Sequence, residues 1–104
     1  MSEIIGLRTR LKPGMEAAYE KAHFEVWPDL VSVQRELGIE HWRIFRHGVE
    51  LFHVVECTDF ERAVAALEVH PIDQRWQKEM AQYVEVAHDG KGAAVERLRL
   101  VYNR

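Results

Sequence analysis

The chain has 104 residues, 47% of them hydrophobic and 30% charged, and 14 Lys and Arg against 17 Asp and Glu leave a net charge of -3. That size fits one domain spanning 1–104, long enough to bury a core and small enough that association into a homodimer would help. The charge balance lacks the basic stripe of a nucleic-acid binder, and the longest unbroken apolar run, Ala63 to Leu67, is far short of the roughly 20 residues that cross a bilayer.

The opening residues Met1 to Arg8 carry no secretory pattern. The single Cys57 suits a reducing cytoplasm and is expected to be a small buried apolar residue. There is no Gly-rich phosphate loop, no CxxC pair and no HExxH, so chemistry is expected to rest on side chains, without a cofactor. The six histidines, His23, His41, His47, His53, His70 and His88, are scattered without short paired spacing, and no metal site is expected.

Alternation from Ile4 to Leu11 predicts a strand with Ile5, Leu7, Thr9 and Leu11 on one face. Lys12-Pro13-Gly14 turns the chain. Met15, Ala18, Tyr19, Ala22 and Val26 have helical spacing, and Pro28 breaks or kinks that helix before it resumes from Asp29 to Leu37 and stops at Gly38.

Two strands follow, Glu40 to Arg46 and Glu50 to Cys57, joined by a hairpin at His47-Gly48. Thr58-Asp59-Phe60-Glu61 has capping-box spacing and predicts a helix to Glu68. Pro71 starts another, with Ile72, Trp76, Met80, Tyr83 and Val84 along one side. Asp89 to Gly92 is a turn, and Val95 to Tyr102 reads as a last strand. The order β-α-β-β-α-β, with its second helical region in two pieces, predicts an α+β ferredoxin-like fold with helices on one side of an antiparallel sheet. Apolar residues on the other face, Phe52 and Val54 among them, call for cover by a twin sheet.

Tyr19, His23 and Trp27 are spaced by four and can share a helix stripe. Imidazole exchanges protons near neutral pH, a phenol hydrogen-bonds a hydroxyl or tunes the imidazole, and an indole offers a flat apolar surface. Such groups furnish a small polar-ligand site, although an aromatic core stripe with a hydrogen-bonded structural histidine has the same spacing. His53, inside an apolar strand, must find a buried partner or reach a cavity. Trp76 beside Ile72 and Met80, and Trp42 alternating with Ile44, fit core packing or a ligand wall. Arg8, Arg10, Arg43 and Arg46 are expected to be surface charges.

The stretch Tyr19-Glu20-Lys21-Ala22-His23-Phe24-Glu25-Val26-Trp27-Pro28-Asp29-Leu30 resembles the first helix of the L-rhamnose mutarotase family. The resemblance continues through Gly38, Leu51-Phe52, Val55-Glu56 and Gln74-Arg75-Trp76 with Lys78 and Met80. It implies a dimeric α+β barrel that interconverts the α and β anomers of a 6-deoxy sugar, a monosaccharide, without a cofactor. By the same resemblance His23 matches the family's proton donor and Tyr19 a substrate-binding tyrosine. Trp76 matches the first residue of a Trp-Trp pair that walls the sugar, and Trp42 falls where a substrate-contacting tyrosine is usual. The chain departs from the pattern at Gln77, at Trp42 itself and at His53, which replaces a small apolar residue. Epimeric sugars are told apart by placed polar groups, so the departures point to L-fucose first and L-rhamnose second. A cofactor-independent monooxygenase of the same fold, and a non-catalytic ligand-binding or dimerisation module, are the alternatives.

Overall fold

The computed structural model describes residues 2–90 and 92–104; Lys91, within the expected Asp89–Gly92 turn, lies outside the described residues. The elements are β1 (Glu3–Arg10), α1 (Glu16–Ala22), α2 (Pro28–Glu36), β2 (Ile39–His47), β3 (Glu50–Cys57), α3 (Phe60–Glu68), α4 (Pro71–Met80) and β4 (Glu96–Leu98). The four-stranded sheet has the order β2-β3-β1-β4, and every pairing is antiparallel. This is the expected α+β ferredoxin-like arrangement.

Strand alternation decides which face is buried. Ile5, Leu7, Thr9 and Leu11 point inward from β1 and the segment after it, and Leu51, His53, Val55 and Cys57 from β3. The helices cover that face. At one end Ile5, Leu7, Val55 and Cys57 pack with Phe60, Ala63 and Leu67 of α3. At the other, Leu11 and Leu51 pack with Tyr19 of α1, Leu30 of α2, and Trp76 and Met80 of α4. Thr9 and His53, both buried and polar, stand between the two apolar clusters. The core is therefore crossed by a polar seam.

Local chemistry sets the helix ends. Pro28 begins α2 and Pro71 begins α4, positions where the missing proline N–H costs nothing. Gly38, after α2, has φ +89° and lies against Thr58, where a side chain would collide. The α3 cap differs from expectation by one residue. Asp59, not Thr58, caps the helix by accepting the Arg62 N–H, while the Thr58 hydroxyl donates to the Gly38 carbonyl. Adjacent Thr and Asp are both competent caps, and the docking of Thr58 on Gly38 decides between them.

The hairpin loop is Gly48-Val49, since His47 and Glu50 are paired. Gly48 at φ +59° supplies the left-handed residue that a two-residue loop needs. The last strand is shorter than its pattern. Only Glu96–Leu98 pair, with Gly6 to Arg8, and Leu100, Val101 and Tyr102 are exposed. The β1 residues Glu3–Ile5 pair with β3 alone, so the chain leaves the sheet before it has used the whole edge. The uncovered sheet face carries exposed Ile4, Phe45 and Leu98.

Candidate functional site

Helix α1 is short because the chain turns at His23, whose backbone N–H bonds back to Glu20. Trp27 accordingly lies outside α1 and caps α2, so the expected three-residue stripe is broken, yet its members still gather. The Tyr19 and His23 rings lie 4.2 Å apart between centroids. Trp76 meets His23 edge-on at 5.4 Å and Trp27 at 5.0 Å. Arg75 lies 5.4 Å over the outer indole of Trp27, a cation–π contact that backs the aromatic wall. An ion pair of 2.8 Å between Arg46 on β2 and Glu20 on α1 ties the histidine-bearing helix to the sheet; being exposed, it adds little stability.

A cavity of about 330 Å³ opens between the sheet and helices α1, α2 and α4, lined by Tyr19, His23, Trp42, His53, Asp73 and Trp76 together with Thr9 and Gln77. It has the size of a small-molecule site, roughly 300–1,000 Å³. All four residues singled out in the sequence for catalysis or substrate contact, His23, Tyr19, Trp42 and Trp76, face this one cavity.

Hydrogen bonding fixes the state of both histidines. His23 Nδ1 lies 2.9 Å from the Tyr19 carbonyl oxygen. A carbonyl only accepts, so Nδ1 carries the proton and the lone pair of the neutral ring sits on Nε2. Burial lowers the His23 pKa, and the Tyr19 carbonyl partly restores it. Burial pushes the Tyr19 phenol up to about 12, so it stays a neutral donor.

His53 is enclosed by partners. Trp42 Nε1 donates to His53 Nδ1 at 3.0 Å, and His53 Nε2 lies 2.9 Å from the Thr9 hydroxyl. Burial, reinforced by the nearby His23, pushes the His53 pKa down to about 4. The histidine expected to need a buried partner has two, and it also borders the cavity. With its N–H occupied, Trp42 offers the cavity its apolar ring.

Two buried polar residues of the lining, Asp73 and Thr9, carry no role in the sequence pattern. Asp73, in the first turn of α4, is 8% exposed; burial raises its carboxyl pKa, and a hydrogen bond with Gln77 opposes the rise. It stands three residues before Trp76 and seven before Met80, on the buried face of the helix, and that spacing is its signal. Thr9 is legible only as an inward residue of β1. The arginines are surface charges as expected, with Arg8 on Glu96 and Arg43 on Glu56. Cys57 is buried within the apolar cluster. Among the described residues no group of three or more His, Cys, Asp or Glu could hold a metal ion, and no helix is long and apolar enough to cross a membrane.

An imidazole with Nδ1 held by a carbonyl, walled by aromatic rings and set among polar groups in a ferredoxin-like α+β fold, is equipped to exchange a proton with a small polar ligand. Comparison with known proteins narrows the class. The model of the L-rhamnose mutarotase family matches residues 5–103. An L-rhamnose mutarotase of Mesorhizobium japonicum is 36% identical over 97 residues, 91% of either chain. Among solved structures, an L-rhamnose mutarotase from Formosa agariphila superposes with a TM-score of 0.86 at 22% identity, covering 98% of both chains. A dimeric ferredoxin-like protein from Jannaschia sp. CCS1 gives 0.59 at 21% identity, covering 94% of this chain and 100% of that one. At such identities the two structures speak to the fold. The chain belongs to the L-rhamnose mutarotase family, and is an isomerase-class enzyme, an aldose mutarotase.

Proposed function

We propose that the protein interconverts the α and β anomers of a 6-deoxy-L-hexose by acid–base ring opening at His23. The observation that carries this reading is the bond from His23 Nδ1 to the Tyr19 carbonyl, which leaves Nε2 as the reacting nitrogen in a cavity walled by Trp76. Neutral Nε2 takes the proton of the anomeric hydroxyl as the bond from the anomeric carbon to the ring oxygen breaks. The imidazolium then returns that proton to the ring oxygen, giving the open aldehyde. Rotation about the adjacent carbon–carbon bond and reversal of the steps on the other face of the carbonyl yield the second anomer. No proton is gained or lost overall. Tyr19 orients the sugar or the imidazole, and Trp42 and Trp76 pack on apolar faces of the sugar ring. No cofactor is needed for this chemistry.

Two sugars compete. The names of the relatives favour L-rhamnose, whereas the departures from the family pattern at Trp42, His53 and Gln77, all three on the cavity lining, favour L-fucose. Saturation-transfer NMR decides: the α-anomer signal of each sugar is inverted and transfer to the β signal is followed with and without protein. Equal or faster exchange of L-rhamnose removes the L-fucose preference, and no protein-dependent exchange of any sugar removes the mutarotase reading in favour of an oxygenase or a binding module.

The catalytic unit is one domain spanning 1–104, and it acts as a homodimer. The uncovered apolar sheet face with Ile4, Phe45 and Leu98, and the exposed Leu100, Val101 and Tyr102, support pairing with a second copy. Sedimentation at micromolar concentration tests this, and a monomer overturns it.

A further inference from the structure

The seam of polar groups across the core is a directed chain. Trp42 on β2, His53 on β3 and Thr9 on β1 occupy successive diagonal positions on the helix-covered face: His53 lies opposite Ile44 and Leu7, Trp42 opposite Val55, and Thr9 opposite Leu51. Diagonal neighbours are within reach of long side chains.

The direction follows from donor inventory alone. An indole N–H can only donate, so His53 Nδ1, 3.0 Å from Trp42 Nε1, holds a lone pair. A neutral imidazole with a bare Nδ1 carries its proton on Nε2, and that proton goes to the Thr9 oxygen at 2.9 Å. Both ring nitrogens are then occupied, so His53 has neither proton nor lone pair for a substrate. Thr9 is left with a hydroxyl proton that no group among the described residues accepts, its hydrogen bond to a side chain being the one with His53. Thr9 lines the cavity.

We propose that Thr9 is a substrate-binding, specificity-determining residue whose hydroxyl donates to a sugar oxygen, and that His53, anchored by Trp42, is the positioning residue that forces this polarity. The inference rests on the sugar reading of the cavity. An acceptor oxygen of the bound sugar at this place is favoured, and an analogue with hydrogen in place of that oxygen leaves a buried donor unmet.

The test is anomer exchange measured against sugar concentration for wild type, T9V, T9S, H53L and H53Q, with folding checked by circular dichroism. T9V keeps shape and removes the donor; its KM for the preferred sugar should rise on the order of tenfold, exceeding any fall in kcat, and T9S, which restores the hydroxyl, should recover most of the loss. H53L should act in the same direction as T9V. H53Q, whose amide can accept from Trp42 and donate to Thr9, should recover part of it. A long-range proton–nitrogen NMR spectrum reads the relay without any turnover, and should show His53 with a bare Nδ1 and a protonated Nε2. A T9V enzyme with wild-type KM for every sugar, or a His53 protonated on Nδ1, overturns the inference while leaving the mutarotase standing. A wild-type protein that exchanges no sugar removes both.

Discussion

His23 donates its Nδ1 proton to the backbone carbonyl of Tyr19, one helical turn earlier in α1, which leaves Nε2 as the nitrogen open to a ligand in the cavity. A side-chain acceptor could have been lost or protonated, whereas a carbonyl keeps the ring in one tautomer throughout the titration range. Replacing His23 with Ala should lower the protein-dependent rate of anomer exchange by about 10²–10⁴-fold, measured by saturation transfer with the uncatalysed rate subtracted. Retention of full activity by a folded His23→Ala variant would remove His23 from the reaction.

The pH profile should have a single acid limb. In the proposed reaction neutral Nε2 is the reacting form, and burial holds the His23 pKa below its ordinary 6.5. Exchange should therefore be flat at and above neutrality and fall below pH 6.5 as the imidazole becomes protonated. Tyr19, pushed up to about 12 by burial, adds no alkaline limb in the accessible range. A rate that rises toward acid would mean that pre-formed imidazolium is the reactant.

Much of this site is legible in the amino-acid sequence. The spacing of Tyr19 and His23 implies contact, and the pattern of β3 ends at Glu50 and Cys57, where the strand itself ends. Alternation also places Thr9 and His53 on inward faces. It contains no register between β1 and β3, and the pairing of Leu7 with His53 is what makes Thr9 the diagonal neighbour. Asp73 escapes a reading of α4 through its apolar positions, although a carboxylate three residues before Trp76 on the same face is itself a signal. The last strand is shorter than its composition suggests: the chain leaves β1 after Leu98 although Glu3–Ile5 continue that strand, and Leu100, Val101 and Tyr102 stand exposed.

Stability should fall with acidity through the His53 titration. The folded-state pKa of about 4 lies below the ordinary 6.5, so the unfolded chain takes the proton first and the folded state loses ground between those two values. The span corresponds to about 3 kcal/mol. His23 contributes with the same sign, so the comparison that isolates His53 is urea unfolding of wild type against H53Q across this window. The variant should show the shallower dependence, and parallel curves would place the buried imidazole outside the acid transition.

Trp76 is at once a core residue and the wall behind His23. It is buried against Leu11, Tyr19, Leu30 and Met80 and touches His23 and Trp27 edge-on. Trp76→Ala should cost about 3–5 kcal/mol and lower the midpoint of urea unfolding accordingly. Trp76→Phe keeps a ring and should remain folded, with KM for the sugar rising more than kcat falls, since in the proposed site the indole packs on the sugar ring. An unchanged KM in the Phe variant would confine Trp76 to packing.

Asp73 reports what the site costs the fold. Its carboxyl is nearly enclosed, and burial raises its pKa against the opposing hydrogen bond from Gln77. A carboxylic acid whose folded pKa is raised binds its proton more tightly when folded, so stability declines as pH rises through the ordinary value of 3.8 and beyond. Asp73→Asn removes the charge and keeps the shape and a hydrogen-bonding group for Gln77. At pH 7 it should unfold a few degrees higher than wild type, a gain of about 0.5–1 kcal/mol for a chain of this length. The same carboxylate borders the cavity, where an acceptor for sugar hydroxyls is useful, so the more stable variant should bind sugar more weakly. Differential scanning calorimetry and the concentration dependence of anomer exchange, on the same preparation, check both halves. A variant that gains stability and keeps its KM would show that the buried charge serves no ligand, and one that loses stability would show that the carboxylate is better solvated than its enclosure indicates.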